Sequence, residues 1–317
     1  DDASDTTKAV TNTKKLITED KVDVIVGSTT TPNAMAMIDV VAEGETPNIS
    51  LGGSARIVDP ANPKTRWVFK VSQHDSLMAD AVAVHAKAAG LTSMGFIGYN
   101  DAYGEGWLVE MKRSATTAGI KMDTIERFNR TDASTTGQVL KLMAANPQAI
   151  LIVGSGTPAA TPHKELVARG YKGRIYQTHG VGNSDFLRVV GKDGNGSFLP
   201  AGPMLAYEQL PDSNPIKKVA KEYITQYEAK FGPRTTFGGH AWDSYIVLNK
   251  AIPEALKTAK PGTKEFRLAL RNALENTKEV VGVHGVFNMS ATDHNGLDNR
   301  GRTMFMIKDG KWALATK

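Results

Sequence analysis

The chain of 317 residues contains no cysteine. This excludes disulfide frameworks, thiol nucleophiles and cysteine-held zinc or iron–sulfur centres, and it suits oxidising and reducing compartments alike. No apolar stretch approaches the roughly 20 residues that a membrane-crossing helix needs. Runs of like charge are missing too. The 38 Lys and Arg residues stand against 33 Asp and Glu, and the net charge of +5 is scattered, which argues against nucleic-acid binding. The opening Asp1-Asp2-Ala3-Ser4-Asp5 is acidic where a secretory leader would be basic, so a leader is either absent or already removed. What remains is ordinary globular composition, 41% hydrophobic and 22% charged, on a length that suits one or two domains.

Short apolar runs alternate with helical patterns. Val22-Asp23-Val24-Ile25-Val26-Gly27 reads as a buried strand, 32–42 as a helix opened by Pro32, and Thr46-Pro47-Asn48-Ile49-Ser50-Leu51 as the next strand. The same rhythm gives strands at 94–99, 121–128, 149–153 and 174–178, with helices at 106–118, 135–145 and 159–169 between them. Strands separated by helices of this length build βαβ units and mainly parallel sheets, so the fold class is α/β. Beyond residue 198 long helices dominate, at 214–230, 239–255 and 263–276. Antiparallel strands at 283–288, 303–308 and 312–315 close the chain, with Asp309-Gly310 as a hairpin turn.

Enzyme motifs fare poorly. Gly154-Ser155-Gly156-Thr157-Pro158-Ala159 matches the dinucleotide pattern G-x-G-x-x-A, yet the following strand ends in Tyr176-Gln177-Thr178-His179 with no acid for a ribose. A tight strand-to-helix turn is the plainer reading. There is no phosphate loop, no H-E-x-x-H helix and no G-x-S-x-G elbow. The seven histidines lack metal-ligand spacing, and Asp1, Asp2 and Asp5 read as a solvated turn before a helix at 7–17. No catalytic constellation, metal site or cofactor is expected.

Several segments make better sense together. The turn Gly27-Ser28-Thr29-Thr30-Thr31, the stretch Pro47-Asn48-Ile49-Ser50-Leu51-Gly52-Gly53-Ser54, and Tyr99-Asn100-Asp101-Ala102-Tyr103-Gly104-Glu105-Gly106 resemble segments of periplasmic Leu/Ile/Val-type solute-binding proteins. So do Gly180-Val181-Gly182-Asn183 and Ala241-Trp242-Asp243-Ser244, and the order is preserved nearly end to end. The resemblance implies the type I periplasmic fold: two Rossmann-like α/β lobes, mainly parallel, joined by three hinge crossovers. One lobe would hold 1–72 plus 207–300, the other 73–206 plus 301–317. It also implies an extracytoplasmic binding protein, not an enzyme, that delivers its ligand to the permease and ATPase subunits of an ABC-type importer.

The residues themselves support a carboxylate site. Ser28, Thr29 and Ser54 lie just beyond strand carboxyl ends, where open α/β sheets bind ligands, and Gly52 and Gly53 allow close approach to the backbone. A helix N-terminus beside Ser28 adds N–H donors. Through the resemblance Tyr103 becomes a pocket residue, whereas Trp107 reads as core. Thr157 lies in a turn where the family often carries tyrosine, and Phe237, His240 and Trp242 are candidate walls. The departure that matters is His179, which stands where amino-acid-binding members carry a glutamate for the ligand ammonium. A carboxylate without an α-amino group, aromatic or 2-oxo, is therefore expected. A ligand-sensing domain of the same fold is the second reading, and a nicotinamide-dependent dehydrogenase a distant third. The family's first strand and helix have no counterpart before residue 1, so an upstream segment and an exposed sheet edge are expected.

Overall fold

The computed structural model describes residues 1–315. The chain divides into two compact units, 1–74 with 237–301 and 75–236 with 302–317, so it passes from one to the other three times.

The first unit is built on three parallel strands, Ile25–Val26, Asn48–Ser50 and Val68–Lys70, in that order across the sheet. Val24, Ile25, Ile49, Val68 and Phe69 supply the β-branched and aromatic side chains that suit a pleated buried surface. Helices Thr6–Thr18 and Thr31–Glu43 bring Ala9, Met37 and Val41 against Ile25 and Val68 on one side. Thr236–Leu256 and Lys264–Glu275 pack Val247, Leu270 and Leu274 with Ile49 and Phe69 on the other. Asp5 caps the first helix by accepting the Lys8 N–H at 2.8 Å, and Thr263 caps the last through the Phe266 N–H. Strand Ile25–Val26 forms one edge of the sheet, with Val26 46% exposed.

The second unit holds a seven-stranded sheet. Across it run Lys311–Leu314, Thr303–Lys308, Phe198–Ala201, Arg174–Gln177, Ala149–Val153, Met94–Tyr99 and Ile125–Phe128. The last five are parallel; Thr303–Lys308 is antiparallel to both of its neighbours. Ala149–Val153 is fully buried, as an unbroken apolar run in a parallel sheet must be when helices cover both faces. Because the parallel strands run in register, the turns after Tyr99, Phe128, Val153 and Gln177 gather at a single edge.

Two expectations need correction. Residues 207–236 belong to the second unit: helix Pro215–Phe231 packs on the turn Pro203–Gln209, and Arg234 locks the pair. Its guanidinium reaches Glu208 and Glu228, each at 2.8 Å, and stands 5.2 Å from the Tyr207 ring centroid. Residues 283–288 do not join the closing hairpin either. Only Val286–Phe287 is extended there, and it pairs with Val280–Val281 in the first unit. The hairpin proper is Thr303–Lys308 with Lys311–Leu314, turned by Asp309 and Gly310, both at positive φ.

Candidate ligand site

In the first unit, strand Ile25–Val26 leads through Gly27 into the turn that starts helix Thr31–Glu43. Thr30 occupies the N-cap without a side-chain cap bond, and Pro32 follows inside the first turn. The hydroxyls of Thr30 and Thr31 are buried and have no partner among the described residues. The first N–H groups of a helix have no intrahelical acceptor, so this end presents only donors and polarisable hydroxyls. Ser28 is engaged: its hydroxyl donates to Asp2 Oδ2 at 2.7 Å. Burial opposes ionisation of Asp2, but hydrogen bonds from Asn33, Ser28 and the Ser4 N–H outweigh it and hold the carboxyl below its ordinary range. The opening acidic turn is thus tied into the fold rather than merely solvated. Thr29 beside it is exposed.

The second segment of this edge, Gly52-Gly53-Ser54, is buried. Ser54 Oγ accepts the Arg56 N–H at 3.3 Å and so starts the short turn Ala55–Val58, which leaves its own proton to donate. Lys70 sits behind this loop, and sequence reasoning missed it. Fully buried, it donates through Nζ to the carbonyls of Gly53 at 3.2 Å, Ser72 at 2.7 Å and Gln73 at 2.9 Å. Bonding the Gly53 carbonyl to an ammonium polarises that peptide and strengthens the Ser54 N–H as a donor. The signal was a lone lysine in the apolar run Trp67-Val68-Phe69-Lys70-Val71. Phe237 is half-buried, its ring 6.4 Å from that of His240, whose ring centroid lies 4.2 Å from that of His284. Asp243 is buried and accepts the N–H groups of Val283 and His284 at 2.6 and 3.1 Å.

In the second unit, three turns knot together at the carboxyl edge of the sheet. Asp101 caps helix Ala102–Ala118 by accepting the N–H groups of Tyr103 at 2.8 Å and Gly104 at 3.2 Å. Gly104 is obligatory, because a Cβ there would lie 1.8 Å from the Tyr99 carbonyl oxygen. The Tyr103 hydroxyl donates to Thr178 Oγ1 at 2.8 Å, and the Thr178 hydroxyl donates to the Gly154 carbonyl at 2.8 Å. Tyr99 donates to the Ser155 carbonyl and accepts the Ser155 N–H. Burial pushes both phenols upward in pKa, so each stays protonated. Gly180 brings the third turn in, and the Gly156 N–H donates to its carbonyl at 2.9 Å. Thr157 opens the turn after that contact and is half-buried.

His179 is 4% exposed, with its ring 5.9 Å from that of fully buried Trp107. Arg130 is the second residue missed. Two positions beyond strand Ile125–Phe128, it pairs with Asp101 Oδ2 at 2.7 Å and reaches Ser155 Oγ at 3.2 Å. Its guanidinium lies 4.2 Å from the centroid of the Tyr99 ring. A single arginine past a strand end gave little to see in sequence. Each unit therefore gathers its own share of the expected residues, Ser28, Thr29, Gly52, Gly53, Ser54 and Phe237 in one, Tyr103, Thr157 and His179 in the other.

The profile of the periplasmic binding protein family matches residues 1–311. This chain belongs to that family. Among solved structures, Rp1789 of Rhodopseudomonas palustris (strain CGA009) is 43% identical, with a TM-score of 0.95 over 100% of this chain and 88% of that one. A solute-binding protein of an R. palustris ABC transporter, solved in complex with benzoate, shares the fold at 21% identity. Its TM-score is 0.83 over 99% of this chain and 82% of that one. A curated relative is the leucine-, isoleucine-, valine-, threonine- and alanine-binding protein of Pseudomonas aeruginosa, 29% identical over 154 residues. That match covers 48% of this chain and 39% of the relative's own length. The two-lobed α/β architecture of the family agrees with the two units and the three passages of the chain between them.

Proposed function

We propose that this chain is an extracytoplasmic solute-binding protein of an ABC-type importer, and that its ligand is a small carboxylate without an α-ammonium group. Aromatic and 2-oxo acids are favoured over amino acids. The ligand carboxylate is taken by the edge that offers Ser54, the Thr30–Thr31 hydroxyls and the helix N–H groups, with Lys70 behind it. Tyr103, Thr157 and His179 serve the rest of the molecule, and Phe237 offers an apolar wall.

The observation that carries this reading is a buried imidazole at the edge of the second unit, on the position where the resemblance puts a glutamate. His179 supplies it. Asp101 is held by Arg130 and by two N–H groups of its own helix. Asp185 is 69% exposed and paired with Arg188, and Asp243 is spent on backbone donors. A buried ammonium without an anionic partner is costly, whereas a phenol, keto or hydroxyl group can pair with imidazole either way. The benzoate complex of an R. palustris relative is compatible with this choice; the amino acids named for the P. aeruginosa relative are the alternative.

Native mass spectrometry of the purified protein tests it. A co-purified aromatic or oxo acid is the expected finding, and a co-purified aliphatic amino acid contradicts the ligand class. Delivery to a permease and ATPase pair is read from transport in cells lacking the chain, where uptake of that acid should fall.

A further inference from the structure

Within the second unit, away from the edge that carries Tyr103 and His179, helix Asp75–Ala88 and the strands Phe198–Ala201 and Thr303–Lys308 border a cleft of about 890 Å³. Alternation along Thr303–Lys308 sends Phe305 and Ile307 into the core and leaves Met304 and Met306 half-buried on the helix side. Met306 pairs with Phe198 and Thr303 with Ala201, so the floor runs three strand residues, about 10 Å, between those pairs. Arg302 precedes the Thr303 end. Arg174 stands at the other end, 5.4 Å from the Phe198 ring centroid.

The polar lining is made of donors. Arg174 and Arg302 both line the cleft, no acidic residue does, and neither guanidinium is ion-paired with a carboxylate among the described residues. Arg302 is fixed by donating to the Leu77 carbonyl at 3.2 Å. The phenol oxygen of buried Tyr176 lies 2.8 Å from His85 Nδ1. Burial, with Arg174 adding to it, lowers the His85 pKa and favours the neutral ring. Two guanidinium groups without a carboxylate partner among the described residues, an imidazole and an apolar methionine–phenylalanine floor describe an anion site with a hydrophobic tail rest.

We propose that this cleft is a second binding site, taking a free single-chain amphipathic carboxylate whose head pairs with Arg174 and whose tail, about 10 Å long, lies on Phe198, Met304 and Met306. It is independent of the ligand assigned to the carboxyl edges. The test is methyl NMR on protein labelled at methionine, titrated with octanoate and, separately, with octanol. The expected result is a saturable shift of the Met304 and Met306 methyl signals with octanoate, at least tenfold weaker with octanol and at least tenfold weaker in Arg174→Gln. Met306→Glu, which puts a like charge on a half-exposed floor position, should abolish the octanoate response of Met304. Equal responses to octanoate and octanol, shifts confined to other methionines, or unchanged binding in both variants would overturn the site. Sedimentation with phosphatidylglycerol vesicles should leave the protein in the supernatant. Arg174-dependent co-sedimentation would overturn the free-ligand assignment in favour of a membrane surface.

Discussion

The carboxyl edges of the two sheets treat their polar groups differently. In the first unit, Thr30 and Thr31 keep hydroxyls without partners among the described residues, and Ser54 keeps a proton to give. In the second, Tyr99, Tyr103, Thr178 and Ser155 bond mainly to one another and to the turns that carry them. One edge keeps hydroxyl donors; the other is a frame of mutual hydrogen bonds that carries His179. Under the proposed function, affinity falls chiefly to the first unit and selectivity chiefly to the second. A frame held by mutual hydrogen bonds needs no ligand to stay in place, whereas unpaired buried hydroxyls favour one.

The frame is most directly broken at Gly104. Gly104→Ala forces a methyl group into the Tyr99 carbonyl and should cost about 3 kcal/mol of folding stability. Urea unfolding measures it, and a near-native midpoint would show that the three turns are looser than their bonds imply. Ser54→Ala probes the other edge. It should weaken carboxylate binding by about 1.5–3 kcal/mol, the range of a charge-assisted hydrogen bond, and should cost folding about 1 kcal/mol through the lost cap to Arg56. Calorimetry with paired melting curves separates the two effects.

Selectivity is tested by His179→Glu, which places a carboxylate where an ammonium would need one. Leucine binding should strengthen at least tenfold, about 1.4 kcal/mol, while aromatic acids weaken. Competition titration reads both, and an unchanged ratio would remove His179 from the account. Tyr103→Phe deletes the bond to Thr178 and should cost about 1 kcal/mol of stability. The smallest effect concerns Asp2. Its pKa is depressed in the folded chain, so its contribution is present above the ordinary aspartate range and is lost as pH falls through the depressed value. Asp2→Asn should therefore lower the melting temperature near neutrality and converge with the parent in strong acid.

Much of this architecture was legible beforehand, because long periodic segments identify themselves. The strands at 94–99, 149–153 and 174–177 and the helices between them follow from apolar period and turn residues alone. Lobe membership of 207–236 was not legible, since it depends on Arg234 finding Glu208 and Glu228 across a turn. Among the candidate site residues, the positions of Ser54 and His179 beyond strand ends could be read from the sequence. The bond between Ser28 and Asp2 could not, because 26 residues separate partners that only the folded sheet brings together. Lys70 and Arg130 were missed for the same reason: a single cation carries no pattern until its acceptors are assembled around it.

The most direct test of the central claim is calorimetric titration of the unmodified protein with 4-hydroxybenzoate and with leucine under identical conditions. The account predicts saturable binding of the aromatic acid, at least tenfold tighter than any response to leucine. Tight leucine binding with no heat from 4-hydroxybenzoate would contradict it.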